Sequence, residues 1–497
     1  MASIEELRDA RLNKINKLKE GGMNPYPVSV LRDYSIKEIK DSFDKIVIIS
    51  EEKNISIAGR VIVVRGQGAI LFIVLQDGDE RFQAVLKKDI LEEKSFNLFV
   101  DTIDNGDFIS VTGSLFTTQR GEQSILIKDW QMATKALLPL PDKWHGLQDI
   151  EETYRKRYLD ILMDKDVYNR FVFRSKIIKF IREFFDNKNF LEVETPVLQN
   201  QAGGAMAKTF NTHHNDYDLN MVLRISLELE HKTLMVGGYE RLYEIGKNFR
   251  NEGSDPTHLQ EFSLLEWYAA YQTLETNMKW TEDLLKSIAT DVMEKTIFKV
   301  YDNDGNGVDV DLSLEWSRIT FGELLKKDAN INIETITLEE ARIEALKWGV
   351  KEEEVKKLGK GNLLDKIYKK SSRGKIINPT FVTDFPGDLK PLAQQNENGT
   401  AKVCQLIIAG AEITNQYAEL VNPIIQRELL VSQSKAKEGG DEEAMELNED
   451  FIIAMEHGMP PMTGFGMGID RIVAIFTEQK NLRDVIFFPI MKPKELK

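Results

Sequence analysis

With 497 residues, 42% of them hydrophobic, the chain is long enough for two or three domains with sizeable cores. Its formal net charge of -15 argues against non-specific DNA binding, which requires clustered Lys and Arg, although a local basic surface could still bind RNA. A single cysteine, Cys404, excludes a disulfide framework and a cysteine-based zinc site. The charged start and the lack of a long apolar run predict a soluble cytoplasmic protein without membrane or DNA partners.

The first part of the chain predicts a helix followed by a small barrel. Apolar residues between positions 4 and 20 follow mostly helical spacing, and Gly21-Gly22 ends that helix. From about 55 to 135, β-rich runs separated by Gly, Asp and Asn predict five short strands. Such strands are typical of a closed barrel of the oligonucleotide-binding type, and a barrel used only for packing is the alternative.

The second part mixes helices and strands. A linker with two prolines is followed by a helical stretch, 155–189, and by a strand that Pro196 breaks. A second helical run lies near 272–295. Residues 334–370 are charged and helix-prone, which predicts inserted helices, more simply interpreted as a solvated surface bundle than as a functional unit. Strands resume at 376–385 and 403–420.

The stretch FRNEGSDPTHLQEF, residues 249–262, predicts two antiparallel strands joined by a long polar loop. At two-residue spacing in a strand, Asn248, Arg250 and Glu252 would share one face, whereas in a helix Arg250 and Glu252 would face apart. A surface hairpin with a solvated ion pair is the alternative, since exposed charges are common. A second alternating set follows the loop: Phe262, Leu264, Glu266 and Tyr268.

The stretch GFGMGIDR combines alternating glycines with an arginine. Gly464, Gly466 and Gly468 leave one strand face without side chains, so a flat ligand could lie against the backbone. Arg471 follows in the first turn of a predicted helix, where it opposes the helix dipole and therefore calls for an anionic partner. The alternative is a Gly-rich turn with an unrelated arginine.

The stretch AEITNQYAEL predicts a strand with Asn415, Tyr417 and Glu419 on one face. A carboxylate beside a phenol on a buried strand is costly unless the carboxylate meets a cation. An edge strand that faces water is the alternative.

Together these stretches resemble the three signature motifs of class II aminoacyl-tRNA synthetases. The helix and strand that end at Pro196 resemble motif 1, FRNE…EF resembles motif 2, and GFGMGIDR resembles motif 3. Within the Asp/Asn/Lys subgroup, GGAMAKTFNTHHN (203–215) and VGGYERLYEIGKNFRNEG (236–253) resemble the lysine-specific members. The resemblance covers essentially the whole chain.

The resemblance implies an α+β protein: an N-terminal five-stranded OB-fold barrel, then a class II catalytic domain whose antiparallel sheet is flanked by helices. We expect a homodimer that forms through the motif 1 region. The expected divisions are an N-terminal helical segment at 1–50, an OB-fold anticodon-binding domain at 51–140, a linker at 141–168, and a catalytic domain at 169–497 with a helical insertion at about 330–375.

The implied activity is that of an ATP-dependent ligase that attaches lysine to tRNA(Lys). Lysine reacts with ATP to give lysyl-adenylate and pyrophosphate, and lysine then passes to the 3′ end of the tRNA, with Mg²⁺ accompanying the ATP. A carboxylate is already a nucleophile, so positioning and charge neutralisation carry the first step. An aspartate-specific relative would need an arginine where this chain offers acids.

The resemblance also implies roles for individual residues. Arg250, Glu252 and Arg471 would form the catalytic set, with Arg250 bridging the amino-acid carboxylate and the α-phosphate. Glu419 and Tyr268 would bind the ε-ammonium of lysine. The implied ATP-binding residues are Arg250, Glu252, His258, Leu259, Phe262, Glu412, Ile413, Gly468 and Arg471. The implied lysine-binding residues are Gly204, Glu228, Arg250, Glu266, Tyr268, Asn415, Tyr417 and Glu419.

The chain departs from the family pattern at three places. Ser226-Leu227 stands where the family mostly has Ala-Pro, and 257–260 reads Thr-His-Leu-Gln instead of Arg-His-Asn-Pro. The family normally binds metal with two Glu seven residues apart. The residues at these two positions in this chain are Gln405 and Glu412. We therefore expect a metal site with Glu412 as its only acid from this pair.

In the barrel, Phe72, Gln83 and Arg65 resemble the anticodon-binding face of the family, although the loop VVRGQGAI around Arg65 differs from the usual version with two arginines. An aromatic residue there would stack on an unpaired base, and Gln83 would contact a base edge. The alternative for Phe72 is an ordinary aromatic residue of the barrel core.

Two rival functions share the same fold. An enzyme that aminoacylates a protein instead of tRNA would lack the anticodon barrel that residues 55–135 predict. A catalytically inactive RNA-binding or signalling relative would have no need to keep Arg250, Glu252 and Arg471.

Overall fold

The computed structural model describes residues 3–66, 68–141, 149–205, 207–302, 305–438 and 445–494. The chain divides into two compact units, Met1–Tyr168 and Asn169–Lys497. Residues 142–148 of the predicted linker lie outside the described residues. Among the described residues, every helix is either too short or too polar to cross a bilayer.

The first unit begins with helices that pack on a barrel. α1 starts at a capping box, in which the Ser3 hydroxyl accepts a hydrogen bond from the Glu6 N–H and the Glu6 carboxylate accepts one from the Ser3 N–H. Gly21 follows its last residue, so the predicted limits of this helix are confirmed. The helices of this part are α1 (Ile4–Glu20), α2 (Ile36–Asp41) and α3 (Phe43–Glu52).

Five strands close into the predicted barrel in the order β1-β2-β3-β5-β4. Alternation decides which side chains fill it: Leu71, Ile73 and Leu75 are buried, whereas Phe72 is 40% exposed. The elements are β1 (Ile55–Arg65), β2 (Ile70–Asp77), β3 (Glu80–Lys87), α4 (Glu93–Thr102), β4 (Phe108–Thr117) and β5 (Gln123–Thr134).

The helical stretch predicted at 155–189 is three helices. They are α5 (Ile150–Arg155), α6 (Arg157–Met163) and α7 (Lys165–Asp186). The backbone leaves the helical conformation at Lys156 and Asp164, which separates them. In α7, Ile177, Ile181 and Phe185 recur every four residues and are fully buried, so one helix face enters the core of the second unit.

The second unit is built on an eight-stranded sheet in the order β14-β15-β16-β17-β18-β11-β10-β6. Its six central strands pair antiparallel, and each edge strand pairs parallel with its neighbour. Two small sheets, β7-β9-β8 and β12-β13, lie outside it. The strands are β6 (Leu191–Glu192), β7 (Leu198–Gln199), β8 (Asn211–His214), β9 (Leu219–Leu223), β10 (Arg241–Phe249), β11 (Glu261–Ala270), β12 (Ile297–Tyr301), β13 (Gly307–Asp311), β14 (Ser317–Thr320), β15 (Thr380–Pro386), β16 (Thr400–Ile408), β17 (Ala411–Ala418) and β18 (Met462–Gly468).

Helices surround this sheet, and the inserted ones are amphipathic. Ala341, Ala345, Leu363 and Ile367 are fully buried in a core that these helices share with α10, so the segment is a packed layer instead of a wholly solvated bundle. The helices are α8 (Glu228–Val236), α9 (Leu274–Ser287), α10 (Phe321–Ala329), α11 (Leu338–Lys347), α12 (Glu352–Lys357), α13 (Lys360–Ser371), α14 (Pro423–Glu438), α15 (Glu449–Glu456) and α16 (Ile469–Phe476).

Candidate active site

A cavity of about 380 Å³ lies over β11, β17 and β18 in the second unit. Every residue that the resemblance assigns to ATP or lysine lines it, from Gly204 and Glu228 to Gly468 and Arg471. The order of the sheet explains this convergence, because β18 pairs with both β11 and β17 and brings three distant segments side by side. The alternatives of a surface hairpin and a water-facing edge strand are therefore excluded for these segments.

The β10–β11 connection differs in one respect from the prediction. β10 ends at Phe249, so Arg250 and Glu252 lie in the loop and not on a strand face with Asn248. The Arg250 N–H still donates to the Gln260 carbonyl at 2.8 Å, but the Glu252 N–H turns back to the Arg250 carbonyl at 2.9 Å, which ends the ladder. Both side chains nevertheless line the cavity.

Arg250 is held by neutral groups. Its Nε and Nη2 lie 3.4 and 3.3 Å from the Ile225 carbonyl oxygen, and its Cζ lies 5.1 Å from the centre of the Phe262 ring. Burial lowers the pKa of this guanidinium, and Glu252, Glu266 and Glu412 oppose that shift. An arginine remains charged in such a site, so its fork of donors is available to an anionic ligand.

The three alternating glycines leave the floor of the cavity open. Gly464, Gly466 and Gly468 all line it, opposite Tyr268, Glu266 and Leu264 of β11. A Cβ atom on Gly464 would lie 2.0 Å from Glu419 Oε1 and 2.6 Å from the Tyr268 ring. A glycine is therefore required where the backbone approaches these two side chains.

One end of the cavity is strongly acidic. Glu228 of α8, Glu266 of β11 and Glu419 after β17 are all buried and line the cavity. Burial raises the pKa of Glu266 to about 8, and the Glu228 carboxylate adds to the shift. Such a cluster disfavours an anionic ligand and favours a cationic one.

Lys232 lies behind two of these acids. Its Nζ is 2.6 Å from Glu228 Oε1 and 2.6 Å from Glu419 Oε2. Its side chain is fully buried and is not among those that line the cavity. The predicted need of Glu419 for a cation is met here, by a residue that the sequence patterns did not indicate.

The two residues that depart from the family pattern before Glu228 contact Glu266. Glu266 Oε1 accepts hydrogen bonds from the Ser226 hydroxyl at 3.2 Å and from the Leu227 N–H at 3.3 Å. A proline at position 227 would have no N–H to donate. The departure therefore supplies Glu266 with two donors.

A buried charge cluster holds α8 against β10. Glu244 Oε1 lies 2.9 Å from Arg224 Nη1, and Glu244 Oε2 lies 3.0 Å from His231 Nε2. Burial lowers the pKa of His231, although Glu244 opposes the shift. This cluster fixes the helix that carries Glu228 and Lys232.

Asn415, Tyr417 and Lys390 are further polar residues of the cavity. The Asn415 amide donates to the Tyr417 hydroxyl at 2.9 Å, and Asn415 Oδ1 is buried without a partner among the described residues. Lys390 also lines the cavity, with its Nζ 5.7 Å from the centre of the Tyr417 ring. It directly follows the single 3-10 turn Gly387–Leu389 in the connection from β15 to β16, where no helical or strand period pointed to it.

Two residues that the resemblance assigns to ATP have partners within the protein. Arg471 donates to the backbone carbonyl of Glu412, whereas the sequence led us to expect an anionic group. His258 Nδ1 pairs with Asp255 Oδ2 at 2.9 Å in the motif 2 loop. Arg471 and Glu412 both line the cavity.

The two expected metal ligands differ in position. Glu412 lines the cavity, whereas Gln405 of β16 lies opposite Asn415 in the ladder, is buried, and is not among the lining residues. The described residues contain no cluster of three or more His, Cys, Asp or Glu side chains that could hold a metal. One carboxylate and one amide oxygen suit a Mg²⁺ ion that arrives with phosphate oxygens and water.

In the barrel, Phe72 and Arg65 are direct cross-strand partners, and both are exposed. Phe72 lies on the outer face, which argues against the alternative of a barrel-core residue. Gln83 of β3 faces Val74 of β2 and donates to the Ser124 hydroxyl at 2.9 Å.

Comparisons with known proteins agree with this arrangement. The family described as tRNA synthetases class II (D, K and N) matches residues 149–492, and the OB-fold nucleic acid binding domain matches residues 55–133. The chain is 40% identical to the lysine–tRNA ligase of Carboxydothermus hydrogenoformans, over 99% of both chains. It is 38% identical to that of Thermosipho africanus, over 99% of this chain and 97% of the relative. It is 40% identical to that of Clostridium novyi, over 99% of this chain and 96% of the relative.

Proposed function

The chain belongs to the class II tRNA synthetases of the Asp, Lys and Asn group, and we propose that it is an ATP-dependent ligase that attaches lysine to tRNA(Lys). The observation that carries the choice of lysine is the acidic end of the cavity, formed by Glu228, Glu266 and Glu419. An ammonium group that leaves water needs charge-assisted hydrogen bonds in return, and these carboxylates can supply them.

In the first step a carboxylate oxygen of lysine attacks the α-phosphorus of ATP. A new C–O–P linkage forms, the bond from the α-phosphorus to the bridging oxygen breaks, and pyrophosphate leaves with that electron pair. Arg250 lines the same cavity, and it bridges the lysine carboxylate and the α-phosphate. Fixed donors aimed at developing charge are typically the largest contribution to such a step.

The nucleotide lies on the glycine face of β18. Phe262 stacks on the adenine from one side, and Arg471 neutralises charge on the other side or at the terminal phosphate. Glu252 and His258 hold the nucleotide from the motif 2 loop. The remaining contacts come from Leu259, Glu412, Ile413 and Gly468.

Lysine lies with its side chain toward the acids. Glu419 and the Tyr268 hydroxyl bind the ε-ammonium, while Glu228 and the Gly204 backbone bind the α-ammonium. Asn415 binds the carboxylate end, for which its Nδ2 is a donor. Glu266 and Tyr417 complete the walls.

A Mg²⁺ ion bound with ATP would neutralise phosphate charge, and Glu412 on the cavity wall is the residue that would hold it, with Gln405 outside the lining, beside the cavity-lining Asn415 on the neighbouring strand. Glu412 contributes the only charge of this pair. The ion therefore binds mainly with ATP and only weakly to the free protein.

In the second step the lysyl group passes to the terminal ribose of tRNA. The OB-fold barrel binds the anticodon through its outer face, with Phe72 stacking on an unpaired base, Gln83 contacting a base edge and Arg65 contacting phosphate. The protein acts as a homodimer through the motif 1 region, where Leu191, Val197 and Leu198 are exposed apolar residues.

Pyrophosphate exchange tests this function directly. The protein should incorporate labelled pyrophosphate into ATP in the presence of lysine, without tRNA, and should charge tRNA(Lys) when it is added. Aspartate and asparagine should support neither reaction. Exchange that depends on a different amino acid, or no exchange at all, would contradict the proposed function.

A further inference from the structure

The ion pairs of Lys232 separate it from the other charged residues around the cavity. Lys232 lies one helical turn after Glu228 on α8, and its Nζ is 2.6 Å from a carboxylate oxygen of both Glu228 and Glu419. Glu228 and Glu419 line the cavity and Lys232 does not. The ammonium therefore lies on the far side of the two acids from a ligand in the cavity.

The second oxygen of Glu419 is left for that ligand. Glu419 Oε1 is buried and has no hydrogen-bond partner among the described residues. It lies next to the glycine floor, since a Cβ atom on Gly464 would be 2.0 Å from it. A buried carboxylate oxygen without a partner is unfavourable, and a cation in the cavity would relieve this.

We propose that Lys232 is a positioning residue for lysine selection, whose ammonium pairs with the Glu228 and Glu419 carboxylates, favours the ionised form of Glu419 and leaves Glu419 Oε1 for a ligand in the cavity. This inference rests on the proposed function and names a residue that does not itself touch the substrate. Without the ammonium, the two carboxylates would share a buried site without this cation, and the protonated form of Glu419 would be favoured still more.

The groups around Glu419 decide the sign of the pH dependence. Burial raises the pKa of Glu419 to about 8, Lys232 opposes this shift, and Glu228 adds to it. Burial also disfavours the charge on Lys232, but Glu228 and Glu419 outweigh it and raise its pKa. The other titratable or charged groups that face this cluster are Glu266, Tyr268, Tyr417, Lys390 and Arg250, with His231 turned toward Glu244.

The ionised form of Glu419 is the one that binds the ε-ammonium, and it is present above its pKa. Lysine binding by the wild-type protein should therefore strengthen as the pH rises toward about 8. Removal of the Lys232 charge should move this transition to higher pH. ATP binding should not share the shift, because its proposed contacts lie elsewhere in the cavity.

The test compares Lys232→Met and Lys232→Gln with the wild-type protein. Lys232→Met removes the ammonium and keeps the length of the side chain, and Lys232→Gln keeps an amide donor without the charge. Lys135→Met is the matched control, because Lys135 is a fully buried lysine that pairs with two carboxylates in the other unit. Lysine affinity by calorimetry and the KM values for lysine and ATP are measured from about pH 6.5 to about pH 9.

Near neutral pH both Lys232 variants should raise the KM for lysine roughly 10- to 100-fold, with the pH profile moved upward and the KM for ATP unchanged. Lys135→Met should change neither constant. Equal losses for lysine and ATP, an unshifted pH profile, wild-type affinity in Lys232→Gln, or failure of both Lys232 variants to fold would each overturn the inference. A wild-type protein without lysine-dependent exchange would instead contradict the proposed function.

Discussion

Two fully buried lysines, one in each unit, each pair with two carboxylates, but the two clusters have different surroundings. In the barrel unit, Lys135 Nζ lies 2.6 Å from Asp104 Oδ2, 2.7 Å from Asp107 Oδ2 and 2.7 Å from the Thr102 carbonyl oxygen. In the second unit, Lys232 meets two carboxylates at 2.6 Å. The first ammonium uses all three of its protons on the protein.

The difference lies in what the acids face. Asp107 Oδ2 and Oδ1 accept hydrogen bonds from the Asp104 and Ala136 N–H groups, so the barrel cluster is closed. Glu228 and Glu419 instead line a cavity, and Glu419 Oε1 has no described partner. A closed buried ion pair leaves no free acceptor for a ligand and becomes costly when one partner is removed, whereas an open one presents unsatisfied charge to a ligand.

Lys135→Met should have the largest effect on stability. It would leave the fully buried Asp107 without its counter-ion, whereas Asp104 would keep Lys14, and loss of one partner of a buried ion pair typically costs roughly 3–5 kcal/mol. Thermal and denaturant unfolding would measure the loss, which should appear in the first unit. Unchanged stability would show that the closed cluster contributes little to the fold.

Glu419→Gln should affect lysine binding more than stability. The amide keeps the shape but loses the charge opposite the ε-ammonium, and a truncated charged pair in a desolvated site costs roughly 2–5 kcal/mol. The KM values for lysine and ATP in pyrophosphate exchange provide the measurement. Equal losses for the two substrates would mean that Glu419 belongs with the structural cluster.

Arg250→Ala extends the comparison to a buried cation whose close partners in the described part of the chain are a carbonyl and a ring. Loss of one donor to the developing charge at the α-phosphate should lower the rate of exchange by ~10²–10³. The fold should survive, as judged by circular dichroism. The exposed Arg318, which pairs with Glu275, offers a control in Arg318→Ala. Near-normal exchange in Arg250→Ala would remove Arg250 from the catalytic set.

Phe72→Ala tests whether the outer face of the barrel binds tRNA. The loss of a stacked base should weaken tRNA binding by roughly 1–3 kcal/mol and leave tRNA-independent exchange unchanged. The KM for tRNA in aminoacylation and the exchange rate without tRNA separate the two steps. If both fell together, Phe72 would be acting through the fold.

Gln405→Glu should have the smallest effect. It adds a second acid to Glu412 and should tighten Mg²⁺, because carboxylates are the usual protein ligands of this ion. Calorimetric titration of Mg²⁺ into the free protein and into its ATP complex measures the change without relying on activity. An unchanged Mg²⁺ affinity would show that position 405 does not reach the metal.

Much of the site could be predicted because its residues alternate along strands. Asn415 and Tyr417 share a face of β17, Gly464 and Gly466 share a face of β18, and both sets line the cavity as their spacing predicts. The end of β10 was missed, since it depends on a turn at Glu252 that no residue type required. Lys390 was missed because a loop carries no period to analyse.

The sequence by itself determined the α+β class, the five-stranded barrel and the face that each strand residue takes, because side-chain direction follows local backbone geometry. Only the tertiary structure decided which distant faces meet. Lys232 and Glu228 lie one helical turn apart, but the ion pair between Lys232 and Glu419 depends on the order and register of β11, β18 and β17. Long-range pairing of this kind is set by the packing of the whole sheet, and the spacing of residues within one strand does not predict it.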